Sequence, residues 1–259
     1  GAGNMAEALL RGAIAAEIVA PSAVIVSDPD PIRCKLFSTE LGIRAVADNR
    51  EAAGCRRLLL AVKPQVFGDV LAEVALSVPA DATVISIAAG VRAGWIADRL
   101  GGRGRIVRVM PNTPMLVGRG VSALAAGPRA TEDDLDWSER LLASCGRTVR
   151  VDEADLDAVT AVSGSGPAYF FYLIEAMIAA GVAEGLDPAV ATDLAAATCA
   201  GAAELIERTG RPAEQLRARV TSPGGTTQAA VESLDAAGVR EALVAAVRRA
   251  AERSRELGA

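Results

Sequence analysis

Short runs of β-branched and aliphatic residues recur as far as Val151, separated by stretches of helical length. Ala23–Val26, Leu58–Val62, Thr83–Ile87, Arg105–Val109, Gly120–Leu124 and Thr148–Val151 each read as a strand. Short apolar runs alternating with helical patterns predict βαβ units and a parallel sheet covered on both faces. After Val151 the strands stop. From Asp155 the pattern is helical, interrupted at Gly164, Gly185–Pro188, Gly210–Pro212, within 220–225 and at Gly238. This change of texture predicts an α/β domain over 1–151 and an all-helical domain over 152–259.

One helical stretch stands out. It opens at Pro167, a residue suited to the first position of a helix, and carries a single charge, Glu175, before Val182. A helix apolar nearly all round is buried on all sides. A helical domain of this size has little bulk to surround it, so a second subunit is expected to supply cover. The apolar stretch Ala158–Ile174 is interrupted by Ser163-Gly-Ser-Gly-Pro167. On that count no unbroken run reaches the ~18 residues a membrane helix needs, and no membrane association is expected.

Composition narrows the chemistry. The chain has 259 residues, 51% of them hydrophobic, enough for a core in one large or two smaller domains. A net charge of −5 argues against nucleic-acid binding. Cys34, Cys55, Cys145 and Cys199 are scattered with no C-x-x-C and read as buried small hydrophobes in a reducing cytoplasm. The chain has 0 histidines. That excludes imidazole acid–base work, Ser-His-Asp and Cys-His hydrolysis and most zinc sites, and no metal is expected.

Gly1-Ala2-Gly3-Asn4-Met5-Ala6 matches the G-x-G-x-x-G/A dinucleotide fingerprint. The first glycine allows a tight turn, the second lets the backbone approach a pyrophosphate, and Ala6 lets the helix pack on the sheet. The strand expected to lead into it lies outside the sequence as given. A helical pattern, a strand and Ser27-Asp28 follow at the proper interval. Asp28 suits a free ribose 2′-hydroxyl and would repel a 2′-phosphate. Asn49, Arg33 and Arg50 are candidates to counter it, although the two arginines also read as solvated loop residues.

Three further segments close strands: Ala61-Val62-Lys63-Pro64-Gln65, Ile87-Ala88-Ala89-Gly90 and Met110-Pro-Asn112-Thr-Pro114. Ligands of open α/β sheets lie outside the carboxyl ends of the strands. Each segment also reads as plain loop chemistry.

These motifs, with Ser163-Gly-Ser-Gly-Pro-Ala-Tyr169 and Ser222-Pro-Gly-Gly-Thr-Thr227, occur in an order that resembles pyrroline-5-carboxylate reductases. The resemblance runs from Gly1 to about Leu257. It implies a Rossmann domain followed by a helical dimerisation domain, homodimers that assemble further into a ring, and hydride transfer from NAD(P)H to C5 of a cyclic imine, giving L-proline. It implies NADP as cofactor, with NAD left open by Asp28, where the family usually shows a small polar residue. Gly1, Ala2, Gly3, Asn4, Met5, Asp28, Asn49, Ala61, Val62, Lys63, Pro64, Ala88, Ala89, Gly90 and Asn112 would lie around the cofactor. Glu153, Ser165, Gly225, Thr226 and Thr227 would lie around the substrate, with Thr227 and Ser165 the candidate catalytic residues. It also implies that the Ser222–Thr227 loop reaches the cofactor of the other subunit.

The loop itself supports that role. Gly224 and Gly225 let N–H groups turn inward, and a helix starting at Thr226 or Thr227 presents free N–H groups and hydroxyls to a carboxylate. Taken alone, the loop also reads as a helix cap with no ligand. Two rivals remain: a β-hydroxyacid dehydrogenase, which needs a basic residue on the helix after Pro167 where none is present, and a non-catalytic dinucleotide sensor.

Overall fold

The computed structural model describes residues 1–258. The helix α1 (Asn4–Ala15) leads to β1 (Ile25–Ser27), α2 (Pro31–Leu41), β2 (Arg44–Val46) and α3 (Asn49–Ala53). The alternation continues with β3 (Arg57–Leu60), α4 (Phe67–Val74), β4 (Thr83–Ser86), α5 (Ala93–Arg99), β5 (Arg105–Met110), β6 (Gly120–Ala126), α6 (Glu132–Ala143) and β7 (Gly146–Arg150). Helices follow: α7 (Leu156–Val159), α8 (Gly166–Ala183), α9 (Pro188–Thr209), α10 (Ala213–Arg219), α11 (Thr226–Ala236) and α12 (Val239–Leu257). The chain forms two compact units, one of Gly1–Ser165 with the end of α12 from Ala250, the other Gly166–Arg249.

In the first unit the strands form two sheets, β1-β2 and β3-β4-β5-β6-β7. Period-two alternation places Val84 and Ile106 in a core with Phe67, Leu71 and Ile96, while Ile85 and Val107 face α1 and α6 through Leu9, Leu141 and Leu142. Both faces are covered, as the unbroken apolar runs predict.

Two strand features differ from expectation. The sheet is not wholly parallel: β6 pairs antiparallel with β5. The link between them spans 111–119, too short for the crossover that parallel neighbours need. β2 went unrecognised because three residues beginning with the exposed Arg44 carry no alternation to detect.

Buried Asp134 ties β4, β5 and α6 together. Its carboxylate takes a bidentate pair from Arg105 (Nε 2.7 Å, Nη2 3.0 Å), the Thr83 hydroxyl, and the Thr131 hydroxyl and N–H. Burial pushes this carboxyl up, but the bonds from Arg105, Thr83 and Thr131 outweigh it and hold the group well below the usual carboxylate range.

In the second unit α8 and α9 pack together where Gly181 meets Ala191. Much of α8 is left open in the single chain, with Phe170, Phe171 and Tyr172 all exposed. Helix extends over Glu153–Ala183, and this stretch and α9 are each long and apolar enough to cross a bilayer by length and composition. The break expected at Ser163–Pro167 takes the form of a local irregularity inside this stretch rather than a loop. The backbone widens into a π-turn over Thr160–Gly164, where Ser165 N–H bonds the Thr160 carbonyl at 2.8 Å, and helix resumes at Gly166.

Candidate cofactor and substrate sites

The long helices differ in how they begin. Asp30, Thr131 and Asp187 cap α2, α6 and α9 with side-chain oxygens. In contrast, α1 and α11 open on Gly3 and Gly225, with no side-chain cap. The first N–H groups bonded back into the helix are those of Glu7, to Gly3, and Ala229, to Gly225. The three N–H groups before each lack a helical partner and carry the positive end of the dipole. Both helix starts are shaped to receive an anion.

Among the described residues, a methyl group on Gly3 would meet nothing within 4 Å, so the start of α1 is open. Gly1 is the opposite case: a Cβ there would lie 2.7 Å from the Ala61 carbonyl and 2.9 Å from Val62. The glycine turn is thus seated on the end of β3, bringing Gly1, Ala61 and Val62 together. Ala2 is buried beneath it, Met5 packs into the core, and Asn4 faces solvent. Lys63 and Pro64 are exposed at the start of a single 3-10 turn. An open, uncapped helix start beside a glycine turn fits a dinucleotide pyrophosphate.

The residues expected around the adenosine end are engaged with the protein. Asp28 takes the Ala2 N–H at 2.7 Å and the Asp30 N–H at 2.9 Å. Arg33 donates to the Ala2 carbonyl at 2.6 Å and to Glu7 at 2.7 Å. Arg50 pairs with Asp48 in its own turn, and Asn49 donates to Glu73 at 2.8 Å.

At the end of β4, Gly90 has φ +76°, a left-handed value that favours glycine. Leu257, at the end of α12, fills the place of its missing side chain: a Cβ there would lie 2.9 Å from that of Leu257. Ala88 is buried in the sheet core and Ala89 half-buried. The distant C-terminal contact carried no local sequence signal.

A cavity of about 530 Å³ lies between the two sheets, bordered by β1 and β3. Of the expected cofactor residues, only Gly1, Asn49 and Val62 reach it; its walls are otherwise mainly the apolar interior, including Leu10, Val26 and Leu59. Within the described residues its bordering strands pair only with β2 and β4. It is a slot between sheet edges rather than a cofactor groove.

Of the expected substrate residues, Glu153 accepts from the Ala93 N–H at 2.7 Å, at the start of α5, and from Arg108 at 2.9 Å. Sequence reading missed Arg108, a charge inside an apolar strand. Ser165 follows the π-turn in the first unit, whereas Gly225, Thr226 and Thr227 start α11 in the second. Gly224 has φ +72°, and a Cβ on Gly225 would strike the Ser222 hydroxyl at 2.5 Å. Gln228 accepts from the Gly224 N–H at 2.7 Å. The bond reaches one residue past the N-cap Gly225, whose own N–H goes to the Ser222 carbonyl, so it braces the loop before the helix rather than capping α11. Thr227 is half-buried at the helix start.

A glycine-opened helix beside a largely parallel sheet, with a helical second part, defines a dinucleotide-dependent oxidoreductase of the two-domain kind. Residues 1–90 match the family of NADP oxidoreductases, coenzyme F420-dependent, and residues 153–257 match the pyrroline-5-carboxylate reductase dimerisation family. Pyrroline-5-carboxylate reductase of Methanosarcina acetivorans is 44% identical across 100% of this chain and 96% of its own length. The structure of a pyrroline-5-carboxylate reductase from Coxiella burnetii superposes with TM-score 0.92 at 35% identity, covering 100% of this chain and 97% of that one. That of Plasmodium falciparum pyrroline carboxylate reductase with NADP bound gives 0.90 at 31%, covering 100% and 96%. The chain belongs to the pyrroline-5-carboxylate reductase family. Its helical part is a dimerisation domain.

Proposed function

We propose that the chain reduces 1-pyrroline-5-carboxylate to L-proline, the last step of proline biosynthesis, with NADPH as the preferred cofactor. The working division is 1–151 for the cofactor and 152–259 for dimerisation and substrate. The observation that carries the reading is the bare start of α11. Three N–H groups and the Thr226 and Thr227 hydroxyls there suit a small carboxylate, and Gly224 and Gly225 keep side chains out of its way.

The start of α1 would hold the pyrophosphate, with Gly1, Gly3 and the Ala61–Pro64 turn around it. Once bound, the cofactor supplies the hydride for C5. The chain's own task is position and polarity. The α11 start fixes the substrate carboxylate, and the Thr227 hydroxyl orients the ring nitrogen. An imine that arrives already protonated asks for no histidine. Of the four cysteines only Cys145 is buried; Cys34, Cys55 and Cys199 are half-buried, short of the burial expected of all four. The dimers assemble further into a ring.

NADPH and NADH oxidation measured side by side with the imine tests the reading. Imine-dependent oxidation, faster with NADPH, is expected. Binding of NADPH without imine-dependent oxidation would mark a sensor instead.

A further inference from the structure

Pro167 leaves a carbonyl without its partner. In an α-helix the Ser163 carbonyl would accept from the N–H of residue 167, and proline has none. The missing donor comes from Asn112, whose Nδ2 lies 3.2 Å from the Ser163 oxygen. The other end of the same amide is also used: Asn112 Oδ1 accepts from the Val121 N–H, in β6, at 2.8 Å. Asn112 itself is only 9% exposed. Gly164 adds to the fit, since a Cβ there would lie 2.4 Å from the Met110 methyl. The end of β5, the start of β6 and the π-turn are thus joined through one side chain, and the next residue beyond the turn is Ser165.

From this geometry we propose that Asn112 is a positioning residue: it fixes the turn that carries Ser165 and is not a cofactor ligand. The inference rests on the reductase reading only for its effect on turnover; the clamp and the lack of cofactor contact stand apart from it. Single π-turns inside α-helices are frequent at functional sites, and this one is tied from outside its own helix through Asn112. Small displacements of a reacting constellation cost on the order of 10–100-fold in rate.

The test compares Asn112→Ala and Asn112→Asp in the full-length protein. Asn112→Asp keeps an acceptor for Val121 and turns a carboxylate toward the Ser163 carbonyl. Amide exchange should therefore accelerate over 160–169 in both variants, and over 118–124 only in Asn112→Ala. NADPH affinity, read by direct titration, should stay within about twofold, while kcat/KM for the imine should fall about 10–100-fold. That fall should be less than additive with Ser165→Ala. Unchanged exchange over 160–169, or a tenfold loss of NADPH affinity, overturns the proposal, and both readouts decide even if the wild-type chain turns over no imine. With an active wild type, full additivity with Ser165→Ala overturns it as well.

Discussion

The carboxylate of Asp28 holds the backbone of Ala2: the Ala2 N–H donates to Oδ2 at 2.7 Å. Arg33 grips the other side of the same residue through its carbonyl. Two side chains that read as determinants of the cofactor's 2′ position therefore clamp the middle of the glycine turn. Removing Asp28 frees the turn before it alters any contact with a phosphate. Asp28→Ser should raise the Michaelis constants of NADPH and NADH together, by about tenfold if one charge-assisted bond of roughly 1.5 kcal/mol is lost. Initial rates with each cofactor check this. An improvement confined to NADPH would mean that repulsion of the 2′-phosphate is the main role of Asp28.

Asp134 makes a separate prediction about stability. Its folded-state pKa is depressed below the ordinary 3.8, so its contribution is fully present above that value and is lost as pH falls toward the folded pKa. Asp134→Asn should cost about 3 kcal/mol at pH 7, because Arg105 and Thr83 lose a buried anionic partner. The difference from wild type should shrink below about pH 4. Denaturant titrations at pH 7 and pH 3 measure it. A gap that is the same at both would show that the pair contributes through packing alone.

Thr227→Ala should lower turnover about 10–100-fold, the effect of losing one positioning hydrogen bond of ~1.4–2.7 kcal/mol from the transition state. NADPH affinity should barely move. Wild-type turnover in this variant would remove the start of α11 from the substrate site.

The elements most legible in the sequence were those whose pattern is local. The apolar runs at Thr83–Ile87 and Arg105–Val109 became β4 and β5 with little change, because a buried strand must be apolar on both faces. The reversal of β6 was hidden in a loop length rather than in any side chain. At the candidate sites the glycines could be read because backbone geometry excludes other residues, as at Gly90 and Gly224. The partners of polar side chains could not. Asp28, Asn112 and Glu153 each bond to groups far along the chain, and only tertiary structure brings those groups near.

Gly3→Asp separates cofactor binding from folding and allows the sharing of sites to be tested. Gly3 has φ −69° and ψ 175°, a conformation open to any residue, with no atom of the described residues within 4 Å of a new Cβ. An aspartate there can cap α1 with its own carboxylate, so stability should hold or rise by a few tenths of a kcal/mol. The same carboxylate would occupy the place of the pyrophosphate and abolish NADPH binding. A thermal melt beside an NADPH titration checks both halves. This folded but cofactor-blind chain can then be refolded together with Thr226→Ala/Thr227→Ala, which lacks the substrate loop's hydroxyls. If the loop of one chain serves the cofactor of its partner, one site in each mixed dimer combines two intact halves. Random pairing makes half the dimers mixed, so activity should return to at most about a quarter of wild type. If each chain completes its own site, the refolded mixture stays as inactive as its parents.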